Sequence, residues 1–268
     1  MTRDFAGKTV VVTGAAGGLG RSLCLRFAAA GAGIAASDLD EAGLAELART
    51  LTVQDKRHSF HPCDVTDAAA CAKTMADVVA RHGRIDVLIN NAGISHRSAF
   101  AVTRLEVLHR VMDVNFWGAV NATKAALPAL TQSKGLIVTI SSIAGFAPLI
   151  GRTGYAASKH ALHGFFDSLR SELQDDGVDV TIVCPSFIAT GIDRAALGGD
   201  GRSAARPRRT TGREAAPEEA ADAIFEAAAR GQNLLLFSGT SKAAWWLSRL
   251  WPRRYAATMR KRLKSEIA

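Results

Sequence analysis

The sequence predicts an α/β protein with a single doubly wound parallel sheet of about seven strands, helices on both faces and a C-terminal basic helical extension. Short apolar runs alternate with helical stretches along most of the 268 residues, as in strand–helix–strand units. A glycine-rich turn joins the first strand to the first helix. Residues 87–89 and 136–140 are continuously apolar, as strands covered on both faces are.

The first strand is expected at residues 8–13 and leads into Thr13-Gly14-Ala15-Ala16-Gly17-Gly18-Leu19-Gly20, followed by a helix that ends near Gly31. Glycines in such a turn let the backbone approach a pyrophosphate without obstruction by a Cβ atom. The unpaired N–H groups at the start of the helix then face the anion. The turn is therefore a candidate dinucleotide-binding site.

The second strand is expected at residues 33–37 and is followed by Asp38, eighteen residues after Gly20. A carboxylate at this distance from the glycine turn accepts hydrogen bonds from the ribose of an adenosine. The alternative is an ordinary residue at a strand end or a helix N-cap. After the glycine turn, ribose binding is the favoured interpretation.

The later part of the sequence continues to alternate between predicted strands and predicted helices. The clearest helices are 155–174 and 217–230, and Pro217 suits the first turn of the second one. The remaining strands are expected at about 57–62 and at 85–89, 135–141, 178–184 and 233–238.

Tyr155 and Lys159 are four residues apart on a predicted helix, and Ser142 follows a predicted strand. Residues at i and i+4 share one helix face, so the lysine ammonium can lie close to the phenol. A free tyrosine has a pKa of about 10, and a fixed cation nearby favours the phenolate. Ser142 can hydrogen-bond the same substrate oxygen. A tyrosine and a lysine that share a face by chance are the alternative.

Residues 191–216 are rich in glycine, alanine and arginine, so they bury little apolar surface and are expected to be mobile. They follow the sixth strand, at the edge of the sheet where ligands bind in open α/β folds. We therefore predict a nucleotide-binding catalytic domain at residues 1–240, with a mobile substrate loop at 190–216. Residues 241–268 form the extension. A solvated linker without function is the alternative for the loop.

The extension combines tryptophans with a basic stripe, which leaves two interpretations open. Tryptophans beside cations suit peripheral contact with a membrane surface. The same segment can instead be a terminal helix or lid that packs on the body or on a partner subunit. Pro252 is expected to divide it into two helices. The residues concerned are Trp245, Trp246, Leu250, Trp251, Arg253 and Arg254, with Met259, Leu263 and Ile267 at four-residue spacing.

The net charge of +8 is concentrated in two segments. Residues 240–268 carry +7 and residues 190–216 carry +3, so the remaining body carries −2. A nucleic-acid binder is not expected, because the chain lacks aromatic residues interleaved on a basic face.

The sequence contains no apolar run of about 18 residues, so we expect no membrane-spanning helix, and it begins without the apolar run of a signal peptide. The cysteines lack metal-site spacing, which favours reduced thiols in the cytoplasm. They are Cys24, Cys63, Cys71 and Cys184.

Several short motifs occur together in one order along the chain. They are the glycine turn 13–20, Cys63-Asp64-Val65, Asn90-Asn91-Ala92-Gly93, Asn115, Ser142, and Tyr155 with Lys159. With these motifs, the chain resembles the short-chain dehydrogenase/reductase family over about residues 5–240, of the kind with a single Rossmann domain. Ser186 is a departure, because the family usually has glycine after the proline that stands here as Pro185.

The resemblance implies NAD(P)-dependent oxidation of a secondary alcohol, or reduction of the ketone, without a metal. Tyr155 is then the general acid/base, and Lys159 tunes it and bonds the nicotinamide ribose. Ser142 holds the substrate oxygen, and Asn115 holds a water that links Lys159 to solvent. Taken alone, Asn115 would be a polar residue that bends a helix.

Further cofactor contacts are implied by the same resemblance. Asp64 and Val65 contact adenine, residues 91–93 lie on the adenosine side, and Thr190 touches the carboxamide or caps a helix. The implied cofactor-binding residues are Gly14, Gly17, Gly18, Leu19, Gly20, Asp38, Asp64, Val65, Asn91, Ala92, Gly93, Tyr155, Lys159, Pro185, Ile188 and Thr190.

The choice of cofactor is expected to depend on Asp38. The 2′-phosphate of NADP carries about two negative charges and would meet this carboxylate unfavourably. No arginine stands at Ala15, Ala16 or Leu39 to offset it. We therefore predict a preference for NAD over NADP.

The substrate pocket is expected to draw on Ile94, Ser95, His96, residues 143–149 and the 187–216 loop. Its apolar composition favours a steroid, retinoid or lipid-like alcohol or ketone over a sugar. Reduction of 3-oxoacyl or small carbonyl substrates is the alternative. His96 either orients a polar group or is an exposed loop histidine.

A different class of function is a non-catalytic protein that senses the dinucleotide, although a sensor has no need of the phenol of Tyr155. The helices expected at 105–131 and 155–174 are the usual subunit contacts of the family. Small residues there predict a homodimer or homotetramer; they are Ala125, Ala126, Ala157, Ala161 and Gly164.

Overall fold

The structure is a computed structural model that describes residues 2–51, 57–193, 195–204 and 214–263. Its strands are β1 (Thr9–Thr13), β2 (Gly33–Asp38), β3 (Ser59–Pro62), β4 (Val87–Asn90), β5 (Leu136–Ile140), β6 (Asp179–Cys184) and β7 (Leu234–Leu236). They form one parallel sheet in the order β3-β2-β1-β4-β5-β6-β7, which confirms the predicted doubly wound seven-stranded sheet.

Helices cover both faces of this sheet. Pro217 opens α7, and the acidic residues Glu218 and Glu219 lie in its first turn, which suits the positive end of a helix dipole. The helices are α1 (Gly18–Ala29), α2 (Glu41–Thr50), α3 (Ala68–His82), α4 (Leu105–Met112), α5 (Gly118–Ser133), α6 (Thr153–Glu172), α7 (Pro217–Ala229), α8 (Gly239–Leu250) and α9 (Pro252–Leu263).

The two faces of the sheet bury separate apolar cores. On β1, Val10 and Val12 belong to the core beneath α1, with Phe27 among its fully buried residues. Val11 points to the other face, where Phe166 of α6 is fully buried. Because successive side chains of a strand alternate between faces, a strand covered on both sides must be apolar throughout.

One predicted helix is interrupted. The helix expected at 105–131 is divided into α4 and α5 by a π-helical turn at Asp113–Trp117. Such turns are rare inside helices and occur often at functional sites. The turn contains Asn115, whose buried amide bonds to the segment after β4.

The order of the strands indicates at which edge of the sheet a ligand site is expected. Connections run outward in opposite directions from β1 and β4, which are neighbours in the sheet. A crevice opens at the carboxyl ends of strands where the winding reverses in this way, and ligands bind there in open α/β sheets.

The basic extension packs on the body through α8. Ser241 and Ala244 are buried, and the ring of Trp245 lies 4.9 Å from that of Phe146. Pro252 begins α9, which confirms the expected division into two helices. Within the described part of the chain, no helix is long and apolar enough to cross a membrane.

Candidate active site

A cavity of about 770 Å³ opens at the carboxyl edge of β1, β4, β5 and β6. All of the residues that the sequence analysis assigned to cofactor binding line it, and so does Ser142. Asn115 does not; it lies behind the cavity wall and is almost completely buried. The structure thus brings the glycine turn and the tyrosine–lysine pair together in one cavity.

Gly14 shows why the first turn requires glycine. Its φ is +65°, and a Cβ atom there would lie 2.7 Å from the Cα of Ala92. Asn91 ties the turn to β4, because its side-chain amide donates to the carbonyls of Thr13 at 3.0 Å and Gly14 at 2.9 Å. A Cβ on Gly20 would collide with the Gly14 carbonyl. The backbone is therefore held open at the start of α1, where a phosphate can approach its N–H groups.

Asp38 ends β2 at the rim of this turn. Its carboxylate accepts hydrogen bonds from the backbone N–H of Ala16 at 2.9 Å and of Asp40 at 3.0 Å. Asp40 in turn caps α2 by accepting from the N–H of Gly43. Asp38 thus stabilises the loop and also lines the cavity, so its structural role does not exclude the expected contact with a ribose.

Asp64 and Val65 follow β3 on the same side of the cavity. One carboxylate oxygen of Asp64 accepts from the backbone N–H and the hydroxyl of Thr66, at 2.9 and 2.8 Å. Cys63 also lines the cavity, which the sequence analysis did not anticipate. It packs against Cys71, whose side chain lowers the pKa of the Cys63 thiol.

Asn115 clamps the segment that follows β4. Its Oδ1 accepts from the N–H of Ile94 at 2.8 Å, and its Nδ2 donates to the Ile94 carbonyl at 3.0 Å. Nδ2 also donates to the hydroxyl of Ser158 at 2.9 Å, next to Lys159 on α6. The side chain therefore links two walls of the cavity, and Ser158 is a participant that the sequence analysis missed.

Lys159 is 4 % exposed, and its ammonium donates to the carbonyl of Ile140 at 2.8 Å. Burial lowers the pKa of this lysine from 10.5 to about 8. The Nζ atom lies 5.8 Å from the ring centroid of Tyr155. The cation is thus fixed by β5 and stands near the aromatic ring, as the i,i+4 spacing predicted.

Ser142 is the second residue after β5 and caps a short 3-10 turn, Ile143–Gly145, by accepting from the N–H of Ala144 at 3.2 Å. Tyr155 and Ser142 are both half-buried and line the cavity. A hydroxyl and a phenol therefore line the same cavity, and the buried ammonium of Lys159 lies 5.8 Å from the centroid of the phenol ring.

At the end of the cavity where the substrate was expected, here called the substrate end, the lining residues differ from those predicted. Leu149 lines the cavity, but Ile143 to Pro148 do not; Ala147 is in the core and Phe146 packs on Trp245 of α8. His96 is completely buried, which contradicts an exposed loop histidine. It does not line the cavity either. Two arginines that the sequence analysis did not single out, Arg110 and Arg152, do line this end.

The 190–216 segment is partly described. The N–H of Leu197 donates to the Ser95 carbonyl at 2.9 Å, and the Leu197 carbonyl accepts from the N–H of Arg97 at 2.7 Å. Ile192 and Ala195 line the cavity. The described part thus lies against the substrate end, while residue 194 and residues 205–213 of the expected mobile loop are outside the described part.

Ser186 fits its loop without strain. Lys134 is the non-glycine residue with a positive φ among those that the structure describes, so Ser186 does not occupy the left-handed region. The Pro185 carbonyl before it accepts from the N–H of Ile143 at 3.1 Å. The departure from the usual glycine therefore leaves this loop intact. Among the described residues, no group of three or more His, Cys, Asp or Glu side chains is placed to hold a metal ion.

The comparisons with known proteins identify the family of this chain. The family profile for "short chain dehydrogenase" matches residues 8–198. The dehydrogenase/reductase SDR family protein 7-like of Anopheles gambiae is 36% identical over 267 residues, covering 97% of this chain and 84% of that protein.

Solved structures agree as well. A short-chain dehydrogenase/reductase from Burkholderia phymatum in complex with NAD superimposes with a TM-score of 0.83 at 25% identity, covering 92% of this chain and 94% of that one. A short-chain dehydrogenase from Burkholderia cenocepacia in complex with NADP shares the fold, with a TM-score of 0.81 at 24% identity and coverage of 96% and 99%. The chain therefore belongs to the short-chain dehydrogenase/reductase family and is an NAD(P)-dependent oxidoreductase.

Proposed function

We propose that the enzyme interconverts a secondary alcohol and a ketone, with Tyr155 as the general acid/base. The observation that carries the proposal is that Tyr155, Ser142 and Lys159 line the same cavity as the glycine turn. A substrate oxygen near Tyr155 and Ser142 would therefore stand beside the cofactor-binding residues.

The residues fit a nicotinamide dinucleotide. Gly14 leaves open a cradle that a Cβ atom would fill, and a Cβ on Gly93 would lie 3.1 Å from Asn115 Oδ1 and 3.6 Å from Lys159 Nζ. The bound nicotinamide would accept or supply the hydride. The glycine turn would hold the pyrophosphate and Asp38 the adenosine ribose, with Asp64 and Val65 at the adenine. Pro185, Ile188 and Thr190 would border the nicotinamide end.

In the oxidation direction, the phenol oxygen of Tyr155 takes the hydroxyl proton of the alcohol as the hydride leaves its carbon. Lys159 favours the phenolate because its positive charge is near the ring and is held in a buried site. Ser142 donates a hydrogen bond to the substrate oxygen and stabilises the charge that develops on it. In reduction, Tyr155 returns the proton to the same oxygen.

We further propose that NAD is preferred over NADP. Asp38 presents a carboxylate to the cavity next to the glycine turn, and Leu39 and Asp40 beside it offer no cation to a 2′-phosphate. The substrate is proposed to be a hydrophobic alcohol or ketone, because Ile94, Leu149, Phe187 and Ile192 line the far end of the cavity.

Arg110 and Arg152 line that same end and favour a substrate that carries a polar or anionic group beside its apolar part. Reduction of 3-oxoacyl or other carbonyl substrates therefore stays a second candidate. Both candidate substrate classes can be tested in one assay. A panel of steroid, retinoid, acyl and small alcohols and ketones, with NAD(H) and NADP(H), should identify the substrate by nicotinamide absorbance.

We also propose that the protein forms a homo-oligomer and is located in the cytoplasm. A homodimer or homotetramer through α5 and α6 is supported by Gly164, which has open space outside its helix, and by the half-exposed Trp117. Ala126, expected at this contact, is instead buried in the core. A cytoplasmic location is supported by the four cysteines, which are free and buried.

Tyr155→Phe tests the catalytic role. Turnover should fall by about two to four orders of magnitude, while the dissociation constant for NAD stays within a few-fold of the wild type. The matched control is Tyr255→Phe, which changes the other tyrosine of the chain, on α9, and should retain full activity. If Tyr155→Phe keeps wild-type turnover, the assignment is wrong. If the wild type binds NAD but converts no member of the panel, the result supports the alternative of a non-catalytic protein that senses the dinucleotide.

A further inference from the structure

Helix α8 and the residue that follows it, Trp251, present an exposed apolar surface. Trp246, Leu247, Leu250 and Trp251, here called the tryptophan face, have exposed fractions of 61, 45, 58 and 50%. The opposite side of α8 is fixed to the body by the buried Ser241 and Ala244. The outward direction of these side chains is therefore set by the packing of the helix.

The concentration of exposed apolar residues is local. Of the ten large apolar side chains that are exposed among the described residues, four lie within the six positions 246–251. Single exposed apolar residues are common on protein surfaces, whereas a contiguous group marks a surface that contacts a membrane or another molecule. The tryptophan face is such a group.

The charge around this face has one sign. The helices α8 and α9 contain no acidic residue. Their cations are Lys242, Arg249, Arg253, Arg254, Arg260, Lys261 and Arg262, and all seven belong to exposed residues. A protein partner of this face would have to be acidic, and a second copy paired about a twofold axis would bring like charges together.

We propose that the tryptophan face docks on a membrane surface that contains anionic lipids. Tryptophan and leucine side chains insert at the level of the headgroups, and lysine and arginine beside them are attracted to negative lipid charge. The surface lies along a helix whose other side is packed on the protein body, and docking there needs no membrane-spanning segment.

Docking there would bring the catalytic cavity close to the lipid. The ring of Trp245 lies 4.9 Å from Phe146, in the loop that follows Ser142, and the Arg249 guanidinium lies 3.2 Å from the Trp245 ring centroid. The docked helix is thus attached to the loop beside Ser142. This consequence rests on the proposed hydrophobic substrate, which would enter from the membrane, but the docking itself does not depend on catalysis.

The test is cosedimentation of the full chain with vesicles, in the absence of substrate. The wild type should bind vesicles of phosphatidylcholine with phosphatidylserine, and binding should weaken as salt is raised. Trp246→Ala combined with Leu250→Ala should reduce the partition coefficient roughly tenfold or more. Phe100→Ala is the matched control, because Phe100 is 63% exposed at another site and should leave binding unchanged.

A second variant separates docking from folding. Arg253→Gln combined with Arg254→Gln leaves the tryptophan face in place and should lower binding to anionic vesicles roughly tenfold. Circular dichroism checks that both double variants fold. Wild-type binding that is absent, that ignores salt, or that persists in both variants overturns the proposal.

Other possible occupants of the tryptophan face would give different results in these experiments. If the face belongs to a second copy, light scattering will show a smaller assembly for the Trp246/Leu250 variant, and the wild type will not bind vesicles. Equal binding to pure phosphatidylcholine would contradict recognition of anionic lipid. Because vesicle binding is measured without turnover, its failure would leave the proposed alcohol–ketone chemistry untouched.

Discussion

Asn115 holds Ile94 through both ends of its side-chain amide: Oδ1 accepts from the Ile94 N–H at 2.8 Å and Nδ2 donates to the Ile94 carbonyl at 3.0 Å. A third hydrogen bond reaches the Ser158 hydroxyl. The π-helical turn at Asp113–Trp117 places the amide at this junction. Asn115 thus positions one wall of the cavity and the helix that carries Tyr155 and Lys159.

Asn115→Ala should therefore reduce turnover as well as stability. Loss of these bonds in a buried site should lower the free energy of unfolding by about 1–3 kcal/mol. Displacement of the cavity walls should lower kcat/KM by up to about 100-fold. The control is Asn90→Ala, which removes a buried bond from Nδ2 to Thr123 outside the cavity and should lower stability with little effect on kcat/KM. Equal kinetic losses in both variants would contradict a positioning role for Asn115.

Much of the fold could be predicted from the sequence because its signals are local. The apolar residues 87–89 and 136–140 lie in strands buried on both faces, and the glycine turn forms where expected. The grouping of the predicted cofactor-binding residues around one cavity could also be expected, because the carboxyl ends of parallel strands meet at one edge.

What the sequence could not give depends on side chains that meet across the fold. Ser158 and Asn115 are 43 positions apart, and nothing in either local pattern signals their bond. His96 is buried by neighbours distant in sequence, so its loop position was a poor guide to its exposure. The pairing of Trp245 with Phe146 depends on how α8 packs on the body, which is likewise a tertiary property.

Lys159 gives a prediction about pH. Its pKa is lowered from 10.5 to about 8 because burial disfavours the charged form. Below pH 8 the lysine is charged in both the folded and unfolded states, and folding bears the cost of burying the charge. Between pH 8 and 10.5 the folded protein binds fewer protons than the unfolded chain, so stability rises with pH. The difference across this window should be about 3 kcal/mol, since one pKa unit corresponds to about 1.4 kcal/mol.

The measurement is denaturant unfolding of the wild type and of Lys159→Met over this pH range. Subtracting the variant at each pH removes the contribution of other titrating groups. The free energy of unfolding of the wild type should rise relative to the variant as pH increases. A difference that is flat, or that falls, would contradict a depressed pKa for this lysine.

Asp38 sets the predicted cofactor preference. Asp38→Asn removes the negative charge while keeping an oxygen that can accept from the Ala16 N–H. The ratio of kcat/KM for NAD to that for NADP should fall by about tenfold or more, because the repulsion of the 2′-phosphate is lost. The assay is initial rates with each nucleotide at one substrate concentration.

Asp40→Asn is the matched control for that experiment. Asp40 also lines the cavity, but it caps α2 through Gly43, and asparagine is an equally good N-cap residue. Its NAD/NADP ratio should stay close to the wild type. A wild type that prefers NADP, or an unchanged ratio in Asp38→Asn, would refute the assignment of selectivity to this carboxylate.

Gly14→Ala tests whether the first turn is built for a phosphate. The new Cβ would lie 2.7 Å from the Cα of Ala92 at a φ of +65°, so either the turn or the segment after β4 must move. We expect a loss of about 1–3 kcal/mol in the free energy of unfolding. Affinity for NAD should fall more than tenfold, because a Cβ atom and a displaced backbone both obstruct the pyrophosphate.

Gly239→Ala is the control for Gly14→Ala, since nothing lies within 4 Å of its Cβ position at the start of α8. The stability of this control should stay within about 1 kcal/mol of the wild type. Calorimetric titration with NAD, alongside thermal unfolding, measures both quantities. Wild-type NAD affinity in Gly14→Ala would show that the dinucleotide does not approach this turn.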